Sequence, residues 1–143
     1  MRSFQLFLFA VALSGLAASA GAQEAASSAA LRIELNSAVD VEGACRISFV
    51  VENTLGKDIS EAVFETVLFD TEGKLERLTL FDMRDLPAGH LRVRQFDIGG
   101  VSCAGIRSIL FNDTQSCSGE GLGESACMDR LSVTSRTNIE LLG

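Results

Sequence analysis

The chain has 143 residues, 12 Lys+Arg against 19 Asp+Glu, and a formal net charge of −7. At 47% hydrophobic and 22% charged it has the composition of a globular protein, not a disordered one. So acidic a chain is a poor nucleic-acid ligand, because phosphate contacts need clustered Lys and Arg, and an anionic membrane surface repels it. One His and no Trp or Tyr argue against His-based metal sites and base-stacking platforms.

Met1-Arg2-Ser3 supplies one positive charge, and Phe4 to Leu16 is mostly apolar. Ala20-Gly21-Ala22 follows, just before Gln23. This is the three-part pattern of a secretory signal peptide with cleavage after Ala22. The apolar run is too short and too rich in small residues to span a bilayer comfortably, and no Cys stands at the cleavage site, so no membrane anchor is expected after cleavage. Removing residues 1–22, among which Arg2 is the only charge, takes the chain from 143 to 121 residues and from −7 to −8. Residues 23–30 (QEAASSAA) are small and polar and read as a flexible mature N-terminus.

From there the chain reads as strands. Leu31–Leu35 alternates apolar and polar, and Cys45, Ile47, Phe49 and Val51 share one face of the next segment. Asn53–Asp58 carries turn formers, and Ala62–Phe69 is rich in β-branched and aromatic residues. Asp70-Thr71-Glu72-Gly73 predicts a hairpin turn with positive φ at Gly73. Lys74–Phe81 alternates with no obvious buried side. Leu86-Pro87-Ala88-Gly89 is a further turn, Leu91–Phe96 a strand, and Gly99-Gly100 a break. Ile106–Phe111 is the sixth strand. Leu131–Ser135 begins the last, with Thr137–Leu142 as its candidate extension. No mature segment predicts a helix capped at both ends. The expected fold is all-β: a single immunoglobulin-like sandwich of about seven strands over residues 31–143, with an open barrel as the alternative.

All four cysteines lie in the mature part, and an even count in an exported protein predicts disulfides. Three pairings are open. Cys45–Cys103 with Cys117–Cys127 is favoured, because the second bridge would close the Gly/Ser-rich loop CSGEGLGESAC. Chain entropy makes that loop worth about 3 kcal/mol and the longer span about 4 kcal/mol. There is no C-x-x-C and no His beside a Cys, so a structural role is expected over a redox or metal one.

The run Ile47–Ile59 with Asn53 at the end of a strand, then Val67-Leu68-Phe69-Asp70-Thr71-Glu72-Gly73-Lys74, then Leu86-Pro87-Ala88-Gly89, resembles small exported immunoglobulin-like sandwiches. The FxLYD-type domains of bacterial envelope proteins are the family it resembles over about residues 31–112. Leu80-Phe81-Asp82 is what this Tyr-free chain has of the Phe-x-Leu-Tyr-Asp element. The whole also resembles small exported proteins of alphaproteobacteria. The resemblance implies the sandwich fold and a periplasmic or secreted location, and it carries no catalytic residues.

Candidate chemistry is sparse. His90 follows a turn, and no nucleophile motif accompanies it, so no catalytic residue is expected and the chain reads as a non-enzyme. Asp70, Glu72, Asp82 and Asp85 sit near turns without the spacing of a calcium loop, so neither metal nor cofactor is expected. Arg92 and Arg94 share a strand face, read as a solvated outer one. The candidate partner-binding element is the tethered loop, with Glu120, Gly121, Leu122 and Glu124. A tethered acidic loop loses less entropy on binding than a free one. The expected function is a non-enzymatic binding or structural module of the envelope, its partner an envelope protein or polymer, the chain itself a monomer or weak dimer. The alternative is a secreted acidic inhibitor of a basic enzyme such as a lysozyme or protease.

Overall fold

A computed structural model describes residues 28–143. The expected signal peptide, 1–22, and most of the expected mature N-terminus lie outside the described residues. Ala30 within that N-terminal stretch is buried. Its N–H donates to Thr54 Oγ1 at 2.9 Å, and its carbonyl accepts the Thr54 N–H at 2.9 Å.

Eight strands form two four-stranded sheets. The first contains β1 (Leu31–Val41), β2 (Ala44–Asn53), β5 (Leu91–Gly99) and β7 (Leu131–Ser135), in the order β5-β2-β1-β7. The second contains β3 (Ile59–Asp70), β4 (Leu75–Leu86), β6 (Ile106–Ser118) and β8 (Glu140–Leu142), in the order β4-β3-β6-β8. The sheets pack as a β-sandwich. β7 runs parallel to β1 and β8 parallel to β6, and the other neighbours are antiparallel. The only helical pieces among the described residues are a 3-10 turn, Cys103–Gly105, and one short α-helix, α1 (Ala126–Asp129).

The alternation read from the sequence places the core. Ile33, Leu35, Ile47, Phe49 and Val51 point inward from the first sheet, and Phe64, Leu68, Phe81, Ile109 and Phe111 from the second. Phe49 joins the layers: its ring centroid lies 5.5 Å from Phe81, 5.9 Å from Phe111 and 6.1 Å from Phe96. Such tilted and edge-on pairs add to the area each ring buries. Gly73 has φ +79°, the left-handed conformation its turn requires, and its N–H donates to the Asp70 carbonyl at 3.0 Å.

Three features differ from the sequence expectation. The last strand is two strands. After β7 the Ser135 hydroxyl accepts the Thr137 N–H at 3.1 Å and the Thr137 hydroxyl accepts the Ile139 N–H at 3.0 Å. These side-chain turns carry the chain across to the other sheet, so Thr137–Leu142 does not extend β7. Strands β1 and β6 are also longer than the local alternation suggested. Register shifts interrupt both pairings, and a bulge breaks the period-2 signal without ending the strand. Finally, the buried side of β4 is settled by Phe81 and Met83, which point inward and leave Leu78 and Leu80 outside.

Candidate interaction surface

The cysteines pair as Cys45–Cys103 and Cys117–Cys127, and no described cysteine is free. Two disulfides point to an oxidising, extracytoplasmic compartment. Among the described residues no helix is long and apolar enough to cross a membrane.

The Cys117–Cys127 loop is docked on the body. Half-buried Leu122 packs against the core. Lys57 Nζ donates to the Gly121 carbonyl, and Gly121 has φ +68°. Gly119 lies so close to the β2–β3 connection that a Cβ there would overlap the Asp58 carbonyl oxygen. The Leu122 N–H donates to the Gly119 carbonyl at 3.1 Å, and the Ala126 N–H to the Gly123 carbonyl at 3.0 Å. Glu120 and Glu124 are left exposed on this docked loop.

The other sequence candidates have local roles. His90 is exposed, and its N–H closes the Pro87 turn at 3.3 Å. Asp70 Oδ1 accepts the Glu72 and Lys74 N–H groups, both at 2.9 Å. Asp82 Oδ1 accepts the Arg84 N–H at 2.8 Å, beside the positive φ of Arg84 (58°). No three His, Cys, Asp or Glu side chains converge on a point among the described residues. Arg94 is not on a solvated face. Its side chain is 15% exposed and crosses the open edge of the sandwich, with Nε donating to the Met83 carbonyl at 2.7 Å and Nη2 to the Asp85 carbonyl at 2.9 Å. Alternation along β5 alone cannot show that a neighbouring strand offers carbonyls to that side.

The outer faces of the two sheets contrast. On the first sheet the cross-strand rows read Leu91–Glu52–Arg32–Ser132, Val93–Val50–Glu34–Thr134 and Asp97–Arg46–Val39. Charge interrupts each row, and each carboxylate has a cation: Glu52 with Arg32 at 3.3 Å, Asp97 with Arg46 at 2.7 Å, Glu34 with Arg136 at 2.8 Å. Asp97 is held below the usual carboxylate range, first by the hydrogen bonds that Arg46 donates to it. Glu34 is lowered first by the Asn36 amide and then by Arg136.

On the second sheet one row crosses all four strands without a polar residue: Leu78–Val67–Leu110–Leu142. Val67 is buried yet is not part of the central core cluster. Leu78 is 59% exposed, and Leu80 beside it 47%. Leu75 extends the apolar surface opposite Phe69. Carboxylates flank the row: Glu65 opposite Leu80, Asp82 opposite Val63, Glu61 opposite Ser118, and Glu140 opposite Ser108. Glu65 accepts the Asn112 amide at 3.1 Å, and Glu61 accepts the Ser116 hydroxyl. None of the four lies within ion-pair distance of a described Lys or Arg. The row escaped sequence reading because its four members come from four separate segments.

No protein-family model, curated protein or solved structure matches this chain. Its class rests on its own geometry: a disulfide-stapled, all-β sandwich with one outer face whose rows are broken by Arg–carboxylate pairs and one crossed by an apolar row with carboxylates beside it.

Proposed function

We propose that this protein is a non-enzymatic binding module exported to the periplasm or secreted, and that it works by presenting a rigid surface to an envelope partner. The observation that carries this reading is the uninterrupted apolar row on an outer sheet face. Exposed contiguous apolar surface on a small folded domain marks an interaction site more often than chance. The likeness of residues 31–112 to envelope sandwiches of the FxLYD type agrees with it.

The test is capture with the immobilised exported chain from an envelope extract. A saturable partner, displaced by free chain, supports the reading. Recovery of nothing above background, together with a turnover activity of the purified chain, overturns it.

Exposed Glu120 and Glu124, held on a docked loop, favour a second reading: a secreted inhibitor that offers an acidic, preorganised element to a basic enzyme. Assays against a panel of lysozymes and proteases, repeated with Glu120→Gln/Glu124→Gln, decide it. Inhibition that falls with the charges supports inhibition by the loop, and no inhibition of any basic enzyme removes it.

A further inference from the structure

The apolar row defines a surface, and the charges around it define its occupant. On the opposite sheet every carboxylate in the outer rows has an Arg partner, whereas Glu61, Glu65, Asp82 and Glu140 have none. No Lys or Arg occupies a position in the row; the cation nearest the margin in register is Arg84, opposite Ala62 and two residues after Asp82, and it forms no ion pair with Glu61 or Asp82. The surface is therefore apolar at its centre, with carboxylates that make no ion pair at its margin and Arg84 as the one cation at the Glu61/Asp82 end.

We propose, building on the reading as a binding module, that this face docks a cationic amphipathic protein segment. Apolar side chains of the segment cover Leu78, Leu80, Leu110 and Leu142, and its Lys or Arg side chains meet the flanking carboxylates. Charge complementarity selects this occupant over the others. A second copy seated face to face would bring acidic margins together between two chains of net charge −7. An anionic bilayer would meet the same repulsion. A cation on the segment gains the pairing that the protein's own arginines supply on the other sheet. The apolar centre supplies affinity, and the acidic margin supplies orientation and association rate.

The experiment titrates the exported chain with a helix-forming leucine/lysine peptide, and in parallel with a leucine/glutamate peptide of the same length. The leucine/lysine peptide binds and the leucine/glutamate peptide does not. Leu78→Ser/Leu80→Ser weakens binding about tenfold. Glu61→Gln/Glu65→Gln, which keeps an acceptor for Ser116 and Asn112, weakens it about threefold or more and flattens its salt dependence. Leu91→Ser/Val93→Ser, two exposed apolar residues of the other sheet, leaves it within about twofold. Circular dichroism and thermal melting show that each variant is folded.

The proposal is overturned by equal binding of the two peptides, by equal loss in the Leu91→Ser/Val93→Ser control, by a dimer that Leu78→Ser/Leu80→Ser abolishes, or by binding to anionic vesicles through this face. An envelope partner whose capture ignores the Leu78 and Glu65 variants overturns this inference while leaving the binding-module reading intact. Failure to capture anything, with turnover in its place, removes both.

Discussion

Asn53 shows how much a single side chain can organise. It is fully buried at the end of β2, with Nδ2 donating to the Lys57 carbonyl at 2.8 Å and the Leu86 carbonyl at 2.7 Å. Its Oδ1 accepts the Leu55 N–H at 3.0 Å, and its backbone carbonyl accepts the Gly89 N–H at 2.8 Å. The side chain thus ties the β2–β3 turn to the end of β4. The turn former was legible in the sequence, but its second partner lies 33 residues away and was not. Asn53→Ala leaves buried acceptors unpaired and should cost roughly 2–4 kcal/mol, read from urea unfolding. Gly119 was legible as a flexible residue, but not as a close approach. Gly119→Ala forces the loop off Asp58 and should lower stability by about 1–3 kcal/mol. Faster proteolysis between Cys117 and Cys127 would show that the loop has lifted.

At the scale of elements, the disulfides act on different parts of the fold. Cys45–Cys103 spans 58 residues and joins the start of β2 to the 3-10 turn before β6. Cys117–Cys127 spans 10 and fixes the end of β6 to α1. Loop entropy predicts that Cys45→Ala/Cys103→Ala costs about 4 kcal/mol and Cys117→Ala/Cys127→Ala about 3 kcal/mol. Denaturant midpoints of the two double variants against the parent measure the difference. The pairing was legible because a short Gly/Ser loop is costly to order without a staple. The split of the last strand was not, because it depends on which sheet has an open edge beside β6. Strand β4 lay between these cases: its alternation was visible, but its inward side depended on the Phe49 ring of the facing sheet.

For the whole molecule, charge is distributed unevenly between two faces of one body. The ion pairs on the first sheet make the fold sensitive to acid. Arg46 hydrogen bonds hold Asp97 below the usual carboxylate range, and Asn36 and Arg136 do the same for Glu34. A carboxylate with a depressed folded pKa stabilises the fold above its unfolded pKa, and that contribution is lost as pH falls through the folded value. Stability should therefore decline as pH drops through and below the ordinary carboxylate range. Asp97→Asn should make the decline shallower, which urea unfolding at a series of pH values and low salt would show. Both pairs are exposed, so added salt should shrink the difference.

Local chemistry in the chain was enough to indicate a strand-built body and its main turns and to favour the sulfur pairing that the fold shows, because periodicity, turn residues and loop entropy act over a few residues or along a single loop. The buried side of β4, the crossing of the last strand and the inward reach of Arg94 depended on neighbours remote in sequence. The apolar row and its unpaired acids depended most on folding, since side chains from β4, β3, β6 and β8 become one surface only when hydrogen-bond register aligns them.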